Sequence, residues 1–250
     1  MEPNRLAIKI GNFLYHRSFP LYKRLYPAFK RRQDAVEIAW MRRLVRPGSN
    51  ALDIGANIGF YTLLLSDLIG SEGQMHAFEP DATNFKHLSA MAGRRNNVTL
   101  VPKAVSDRSG PLVMYTSPTL NVDHRTYEPA RYKEAIAVDG ISIDDYVGGR
   151  WRVDVIKMDI QGYELNALRG MERTIMANPG MVIFTEFWPY GFRLCGADAN
   201  LVYDYIRSLD LQMWLPERGK LRPVSPTTLK EFQDIETMYY NIILSKESII

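Results

Sequence analysis

The chain has 250 residues and a formal net charge of +3, and its 46% hydrophobic and 24% charged residues exclude a disordered or fibrous protein. A single cysteine, Cys195, excludes an intramolecular disulfide, and four widely separated histidines lack the spacing of zinc ligands. No apolar run approaches the roughly 18 residues of a membrane-spanning helix and no signal peptide is recognisable, so we expect a cytoplasmic protein.

Most of the positive charge lies in the first fifty residues. Residues 1–50 hold eleven Lys and Arg against three Asp and Glu, whereas the rest of the chain holds twenty against twenty-five. Within residues 1–32, eight cations are interleaved with six aromatic residues, a composition suited to anionic lipid, a nucleic-acid backbone or an acidic partner. The alternative is a solvated helix that packs its aromatic side chains on the main domain. Pro20 and Pro27 predict two short segments rather than one continuous helix.

The charge pattern divides the chain into a basic helical arm, residues 1–46, and one α/β domain, residues 47–250. One domain is expected because a single core can grow to roughly 250 residues before it splits. We expect residues 1–32 to contact the inner surface of a membrane or a partner, and not the ligand site of the domain.

Helices and strands are predicted to alternate along the domain. The helix predictions, of which the first belongs to the arm, are 33–46, 58–69, 82–95, 142–147, 163–176 and 200–208. The strand predictions are 51–54, 74–78, 98–101, 111–116, 135–138, 153–158, 181–187, 211–215 and 239–244. This alternation is typical of a doubly wound, mostly parallel sheet, with the irregular stretch 104–147 inserted over its ligand face. The apolar side chains expected to face the core in the second helix are Phe60, Leu63, Leu64 and Leu68.

The most informative motif lies where the first strand meets the following helix. Gly55 permits a tight turn there, and Gly59 lets the helix approach the strand, so the backbone amides at its start can hold an anionic or dipolar ligand. A dinucleotide fingerprint would place glycines where the chain has Asn57 and Phe60. An acidic residue two positions before the first glycine, here Asp53, is instead typical of methyltransferases, and its carboxylate can bind the methionine ammonium group of S-adenosylmethionine.

Further polar residues follow the next two strands. Glu79 ends the second strand, where a carboxylate can accept both ribose hydroxyls of a nucleoside. After the third strand, Ser106 and Asp107 could reach the adenine amino group. The alternative is that Asp107 caps a turn.

The fourth strand ends in a charged segment. Asp159 lies at the carboxyl end, where open α/β sheets bind ligands, and is the first candidate for a reacting-site residue. Glu164, in the first turn of the next helix, either belongs to the site or serves the positive end of that helix, and we prefer the second interpretation. Lys157, on a mostly buried strand, must pair with a carboxylate.

Two more residues are candidates for a catalytic base. Glu186 closes the next strand at the same sheet edge and either binds the acceptor or takes its proton; alternatively it pairs with Lys157 or Arg193. His124 lies between Asp123 and Arg125 in a polar loop and is either a surface residue or a functional one.

Four segments of the sequence resemble the FkbM-type S-adenosylmethionine-dependent methyltransferases between about residues 50 and 188. They are Leu52-Asp-Ile-Gly-Ala-Asn-Ile-Gly-Phe-Tyr-Thr62, Ala77-Phe-Glu-Pro80, Ala104-Val-Ser-Asp107 and Ile156-Lys-Met-Asp-Ile-Gln-Gly-Tyr-Glu164. The resemblance implies a seven-stranded class I methyltransferase fold and O-methylation of a hydroxyl on a sugar or natural product. The candidate cofactor residues are Asp53, Gly55, Ala56, Asn57, Gly59, Glu79, Pro80, Ser106 and Asp107. Residues 121–125 lack a glycine that part of the family carries, which weakens a catalytic role for His124.

The chemistry of methyl transfer agrees with these residues. A hydroxyl acceptor must lose its proton, and Asp159, Glu186 and His124 are the available bases. A divalent ion could substitute for a base, but no spacing indicates one. We expect a small-molecule or glycan acceptor; the oligomeric state is not indicated. Two alternatives are an RNA methyltransferase, which the slightly acidic main domain does not favour, and a non-catalytic nucleoside-binding module.

Overall fold

The computed structural model describes residues 11, 13–15, 17–117, 125 and 132–249. Its strands are β1 (Asn50–Ile54), β2 (Gln74–Phe78), β3 (Val98–Val101), β4 (Ala104–Val105), β5 (Gly110–Thr116), β6 (Glu134–Ile141), β7 (Val155–Met158), β8 (Val182–Phe187), β9 (Gln212–Glu217), β10 (Lys220–Pro223) and β11 (Tyr240–Ser245). The helices with described bounds are α1 (Phe19–Gln33), α2 (Ala35–Leu44), α3 (Phe60–Ile69), α4 (Ala82–Ala92), α5 (Ile143–Val147), α6 (Glu164–Arg169), α7 (Glu172–Ala177), α8 (Pro189–Leu194), α9 (Ala199–Ser208) and α10 (Pro226–Leu229).

The central sheet confirms the predicted doubly wound α/β fold. Its order is β10-β9-β11-β8-β7-β1-β2-β3, with β3, β2, β1, β7 and β8 paired in parallel and β11, β9 and β10 joined by antiparallel pairs. The chain moves outward from β1 to β3 and then returns to the other side of β1 with β7. This reversal lies between β1 and β7, and ligands bind beyond the carboxyl ends of the strands at such a point.

The sheet has one strand more than the seven that the resemblance implies. The additional strand, β10, is a short edge strand that carries Lys220 and Arg222, so its sequence lacks the apolar run that predicts a buried strand. Helices α8 and α10 also lie in a stretch for which the sequence predicts no regular structure. Both are too short, at 6 and 4 residues, to show a helical period.

A second, three-stranded sheet has the order β4-β6-β5. Strands β5 and β6 are antiparallel, with Gly110 opposite Gly140 and Thr116 opposite Glu134. This sheet accounts for much of the stretch 104–147, and β6 extends beyond the predicted strand at both ends.

The arm contains a continuous helix where the prolines predict a break. Helix α1 includes Pro20 in its first turn, where the missing N–H costs nothing, and continues through Pro27. The predicted break at Pro27 is therefore wrong. Tyr22 is buried and Tyr26 half-buried against the domain, and packing of this kind outweighs the loss of one helical hydrogen bond. None of the described helices is long and apolar enough to cross a membrane.

One helix predicted over 163–176 is two helices, α6 and α7. A Cβ on Gly170 would lie 1.9 Å from the carbonyl oxygen of Ser106, so only glycine permits this approach of the two segments. Helix α7 then starts anew, and the Asp144 carboxylate accepts hydrogen bonds from the backbone N–H groups of Arg173 and Thr174 at its first turn. The prediction of a single helix is wrong because both contacts come from distant parts of the chain.

Helix α3 buries a different face from the one its apolar residues predict. Thr62 is buried and donates its hydroxyl to Asp53 Oδ2 at 2.6 Å, and buried Ser66 donates to Asn97 Oδ1 at 2.8 Å. The same face buries Tyr61, Leu65 and Ile69, so the predicted face lies closer to the surface. Its side chains, which are only half-buried, line a groove of about 250 Å³ between α1 and α3; they are Phe60, Leu63, Leu64 and Leu68.

Apolar side chains pack on both faces of the central sheet. On one face, Ile38, Trp40 and Met41 of α2 are buried in the same cluster as Leu65 of α3 and Phe184 of β8. The second helix of the arm thus contributes to the core of the domain.

Candidate active site

The glycine motif forms a tight turn at the carboxyl end of β1. Gly55 and Gly59 have φ angles of +82° and +94°, and Asn57, a residue that tolerates the left-handed region, has +50°. A Cβ on Gly55 would lie 2.1 Å from the carbonyl oxygen of Asp159. The turn therefore crosses the end of β7 at a distance that only glycine allows, and the predicted cofactor motif and the predicted reacting-site residue are adjacent.

Glu79 is built into the same turn. Its Oε2 accepts a hydrogen bond from the Asn57 N–H at 2.7 Å and its Oε1 accepts one from the Asp81 N–H at 2.9 Å. Burial raises the pKa of Glu79 to about 8, against the opposing effect of these two hydrogen bonds. Each oxygen retains one further lone pair. Glu79 thus has a structural role in shaping the turn. Ribose binding by Glu79 stays a prediction.

Asp53 lies at the base of the turn. Its Oδ2 accepts the hydrogen bond from Thr62, and its side chain is buried. Burial raises the pKa of Asp53 to about 6, against the opposing effect of the Thr62 hydrogen bond. A cation bound beside this carboxylate would stabilise its ionised form, as the methionine ammonium group would.

Two buried oxygens at this edge have no hydrogen-bond partner among the residues that the structure describes. They are Asn57 Oδ1 in the turn and Glu164 Oε2 at the start of α6. Burying an acceptor without a donor is costly, and the ammonium and hydroxyl groups of S-adenosylmethionine supply donors of this kind. Together with Asp53 and Glu79, these oxygens fit that cofactor.

Three carboxyl groups converge beyond β7 and β8. Asp159 accepts a hydrogen bond at Oδ1 from Gln161 Nε2 at 2.8 Å, and Glu164 Oε1 accepts one from the Ile160 N–H at 3.1 Å. Burial raises the pKa of Glu164 to about 7. Burial, and then the charge of Asp159, raise the pKa of Glu186 well above its ordinary range. Asp159 lies against the glycine turn, so it is the group of the three that we expect to accept a proton.

Glu164 also has the structural contact that its sequence position suggests. It begins α6 and bonds the backbone of the preceding turn. The predicted association of Glu164 with the start of this helix is consistent with that contact.

Lys157 has a carboxylate partner, as predicted, and that partner comes from the arm. Its Nζ lies 3.3 Å from Glu37 Oε1, and both side chains are buried. Arg193 pairs with Asp234 at 2.8 Å. Neither cation thus shows the ion pair with Glu186 that was the alternative to a functional role for that residue.

A buried polar chain joins the arm to β7. Lys30 Nζ lies 2.7 Å from Asp34 Oδ2, and the Tyr61 hydroxyl lies 2.6 Å from the same oxygen and 2.8 Å from Glu37 Oε2. Glu37 then pairs with Lys157. The sequence analysis does not predict this series of polar contacts, although Asp34 and Glu37 are two of only three acidic residues among the first fifty.

The arm also packs beside the cofactor turn. Tyr15 donates its hydroxyl to Asn84 Oδ1 at 2.8 Å, and Tyr15 and Tyr22 form a buried cluster with Ile58 of the glycine motif. Phe19 stacks on His87 with a ring-centroid distance of 3.5 Å. The composition of the arm does not predict this position next to the site.

The remaining candidates lie at varying distances from this centre. Ser106 is buried, donates to Asp107 Oδ1 at 2.9 Å and lies 3.2 Å from the Tyr163 hydroxyl. Asp107 is exposed and Pro80 half-buried. His124 falls outside the described residues. Within the described part of the chain, no group of three or more His, Cys, Asp or Glu side chains could hold a metal ion.

Comparison with known proteins decides the family. The sequence pattern of the methyltransferase FkbM domain matches residues 53–220. The chain belongs to the FkbM methyltransferase family. Its FkbM domain contains the glycine turn, Glu79, Asp159 and Glu186, and it is an S-adenosylmethionine-dependent methyltransferase domain.

Three known proteins are similar to this chain in sequence or in fold. Hexuronic acid methyltransferase AglP of Haloferax volcanii is 28% identical over 130 residues, which are 50% of this chain and 51% of the relative, so the match spans about half of that protein. A structure from Clostridium thermocellum described as an rRNA methylase has a TM-score of 0.51 at 13% identity and covers 85% of this chain and 94% of its own. An O-methyltransferase of Thermotoga maritima has a TM-score of 0.48 at 15% identity, covering 84% of this chain and 64% of its own. At 13% identity, the first of these structures shows a shared class I methyltransferase fold alone.

We expect Glu79→Ala to weaken S-adenosylhomocysteine binding about 5- to 150-fold, because unpaired buried hydroxyl groups cost about 1 to 3 kcal/mol. The variant also removes the acceptor of the Asn57 and Asp81 N–H groups. Glu79→Gln keeps one acceptor oxygen, so its affinity for S-adenosylhomocysteine should lie between those of the unchanged protein and Glu79→Ala. Calorimetry measures all three affinities, with exposed Glu72→Ala as the control. Tight binding of NAD without affinity for S-adenosylhomocysteine would contradict the assignment.

Proposed function

We propose that this protein transfers a methyl group from S-adenosylmethionine to a hydroxyl group of a sugar or glycan. The observation that carries the proposal is the crossing of the cofactor turn over the end of β7. It brings Gly55 against the backbone of Asp159, so a carboxylate stands beside the place where the cofactor motif ends.

Asp53, Asn57 and Glu79 would hold the cofactor. Asp53 and Asn57 offer buried oxygens to the amino-acid part, and Glu79 offers its remaining lone pairs to the ribose. The cofactor supplies a methyl group that is made electrophilic by the positive charge on its sulfur.

Asp159 would orient the acceptor hydroxyl and take its proton as the bond of the methyl carbon to sulfur is replaced by a bond to the acceptor oxygen. Gln161 holds one carboxylate oxygen of Asp159 at 2.8 Å, which leaves the other oxygen for the acceptor. Lys157, held by its ion pair with Glu37, places a positive charge two residues before Asp159 in the chain.

The acceptor class is supported by the chemistry of the edge and by one relative. Hydroxyl methylation requires a base beside the acceptor, which Asp159 provides, and the AglP relative is a hexuronic acid methyltransferase. Trp188, which directly follows β8, lies 5.2 Å from the Arg125 guanidinium. Trp188 itself is buried, and its indole N–H donates to the carbonyl oxygen of Glu236 at 3.2 Å, so these two groups border the end of β8 from the core side.

The test is methyl transfer from labelled S-adenosylmethionine to three acceptor pools: uronic acid glycosides, neutral glycosides and total RNA. We expect label in a glycoside as a methyl ether, which resists mild base. A base-labile methyl ester would place the methyl group on a carboxylate and contradict hydroxyl methylation. Label in RNA alone would favour the RNA methyltransferase alternative, and cofactor binding without transfer to any pool would favour a binding module.

A further inference from the structure

Helix α1 carries exposed cations and exposed apolar side chains that have no part in the candidate active site. Between Phe19 and Gln33 it carries five cations and no acidic residue. One of the cations, Lys30, pairs with Asp34. The others lie on exposed parts of the helix; they are Lys23, Arg24, Arg31 and Arg32.

An exposed apolar row runs along the outer face of this helix. Leu21, Leu25 and Phe29 are 44%, 52% and 45% exposed. They are spaced four residues apart, so their side chains lie above one another on one face. The domain-facing side of α1 is marked by buried Tyr22 and half-buried Tyr26. The three residues of the row are therefore not part of the packed core of the domain.

Cations flank the row on the same face. At about 100° per residue, Arg32 falls within the angular range of Leu21, Leu25 and Phe29, and Arg24 lies next to it. Single exposed apolar residues are ordinary, whereas a contiguous apolar row with a charged border is typical of an interaction surface.

We propose that the outer face of α1 docks on an anionic phospholipid bilayer, with Leu21, Leu25 and Phe29 at the boundary between headgroups and acyl chains. Arg24 and Arg32 then meet lipid phosphates. The helix lies parallel to the membrane surface, and its inner side keeps its contacts with the domain.

The charge pattern favours lipid over the other occupants of such a face. A second copy of this chain packed on the same row would bring the cations of two α1 helices together without an intervening acid, and their repulsion opposes the contact. A nucleic-acid backbone would neutralise the cations but would leave the apolar row without a partner. An anionic bilayer can bind both the cations and the apolar row of α1.

The first test is co-sedimentation of the full chain with vesicles. We expect binding to phosphatidylcholine mixed with an equal amount of phosphatidylglycerol, weakened by added salt, and little binding to phosphatidylcholine alone. Replacing Leu21, Leu25 and Phe29 together by serine should abolish binding. The matched control is Leu201→Ser on α9, where the leucine is 46% exposed, and it should bind like the unchanged chain.

The charge contribution is measured with a second pair of variants. Arg24→Gln combined with Arg32→Gln should weaken binding roughly 30-fold, at about fivefold for each cation near an anionic surface. Arg94→Gln combined with Arg218→Gln removes two exposed cations elsewhere and should change binding little. All four residues are exposed, and circular dichroism with thermal unfolding verifies that each variant is folded.

Four results would overturn the proposal. The proposal is wrong if the wild-type protein does not bind anionic vesicles, or if the serine variant binds them as well as the wild type does. Sedimentation velocity that shows a dimer lost in the serine variant, with no vesicle binding, assigns the row to self-association. RNA binding that depends on Arg24 and Arg32 without vesicle binding assigns the surface to nucleic acid. Methyl transfer to a soluble acceptor is measured separately, so the proposed function stands or falls on its own test.

Discussion

Asp159→Asn is expected to lower the rate of methyl transfer about a hundred- to ten-thousand-fold, the usual loss when a general base is removed. Affinity for S-adenosylhomocysteine should stay within a few fold of wild type. Asparagine has nearly the same shape as aspartate and can still accept the hydrogen bond that Gln161 donates at 2.8 Å. The turn that crosses Asp159 approaches its backbone carbonyl oxygen, which the substitution leaves unchanged. The change thus removes the proton acceptor and leaves the cofactor turn in place.

The rate of methyl transfer to the acceptor measures the catalytic role of Asp159, and calorimetry measures the affinity for S-adenosylhomocysteine separately. The matched control is Asp139→Asn, an exposed aspartate on β6, which should have wild-type values for both. Near-normal turnover of Asp159→Asn on the true acceptor would make Asp159 a structural residue. Equal losses in transfer and in cofactor affinity would move Asp159 from the acceptor to the cofactor.

Glu37→Leu is expected to lower the free energy of unfolding by about 3 to 5 kcal/mol, the range for a buried ion pair that loses one partner. Lys157 is only 1% exposed. Burial alone would lower the pKa of Lys157, and the neighbouring Glu37 raises it above its ordinary range instead. Without Glu37 the ammonium group is left buried beside Asp159 and Glu186 alone, and the Tyr61 hydroxyl loses one of its two carboxylate contacts.

Urea unfolding with the double variant Glu37→Leu, Lys157→Met separates this effect from a general loss of packing. Two apolar side chains can replace a buried ion pair at little cost, so the double variant should recover most of the stability. Glu217→Leu, which breaks a solvent-accessible pair with Arg222, should cost much less than Glu37→Leu. If the double variant is as unstable as the single one, the ion pair is not what stabilises this region.

The sequence predicts the cofactor turn because all of its determinants are local. Gly55, Asn57 and Gly59 each satisfy a backbone requirement within one turn, and Asp53 and Glu79 mark the ends of strands whose parallel pairing the alternating pattern already indicates. The carboxyl ends of parallel strands meet at one edge, so the convergence of these residues with Asp159 follows from topology.

The features that the sequence does not predict depend on contacts between distant residues. The partner of Lys157 is 120 positions away in α2, and no spacing rule connects two helices of the arm to β7. The buried face of α3 includes Thr62 and Ser66, whose hydroxyls find partners there. A hydrophobic period counts these two polar residues as evidence for exposure. The break at Gly170 similarly depends on the backbone of Ser106.

The sheet order also determines where this protein could be divided. Strand β11 lies between β8 and β9, although residues 240–245 follow the end of the FkbM match at 220. A segment cut at the limits of that match would lose an interior strand and expose two unpaired sheet edges. It would also lose Asp34 and Glu37, and with them the partner of Lys157. Chimeras that exchange this domain between relatives therefore need junctions before Asp34 and after Ser245.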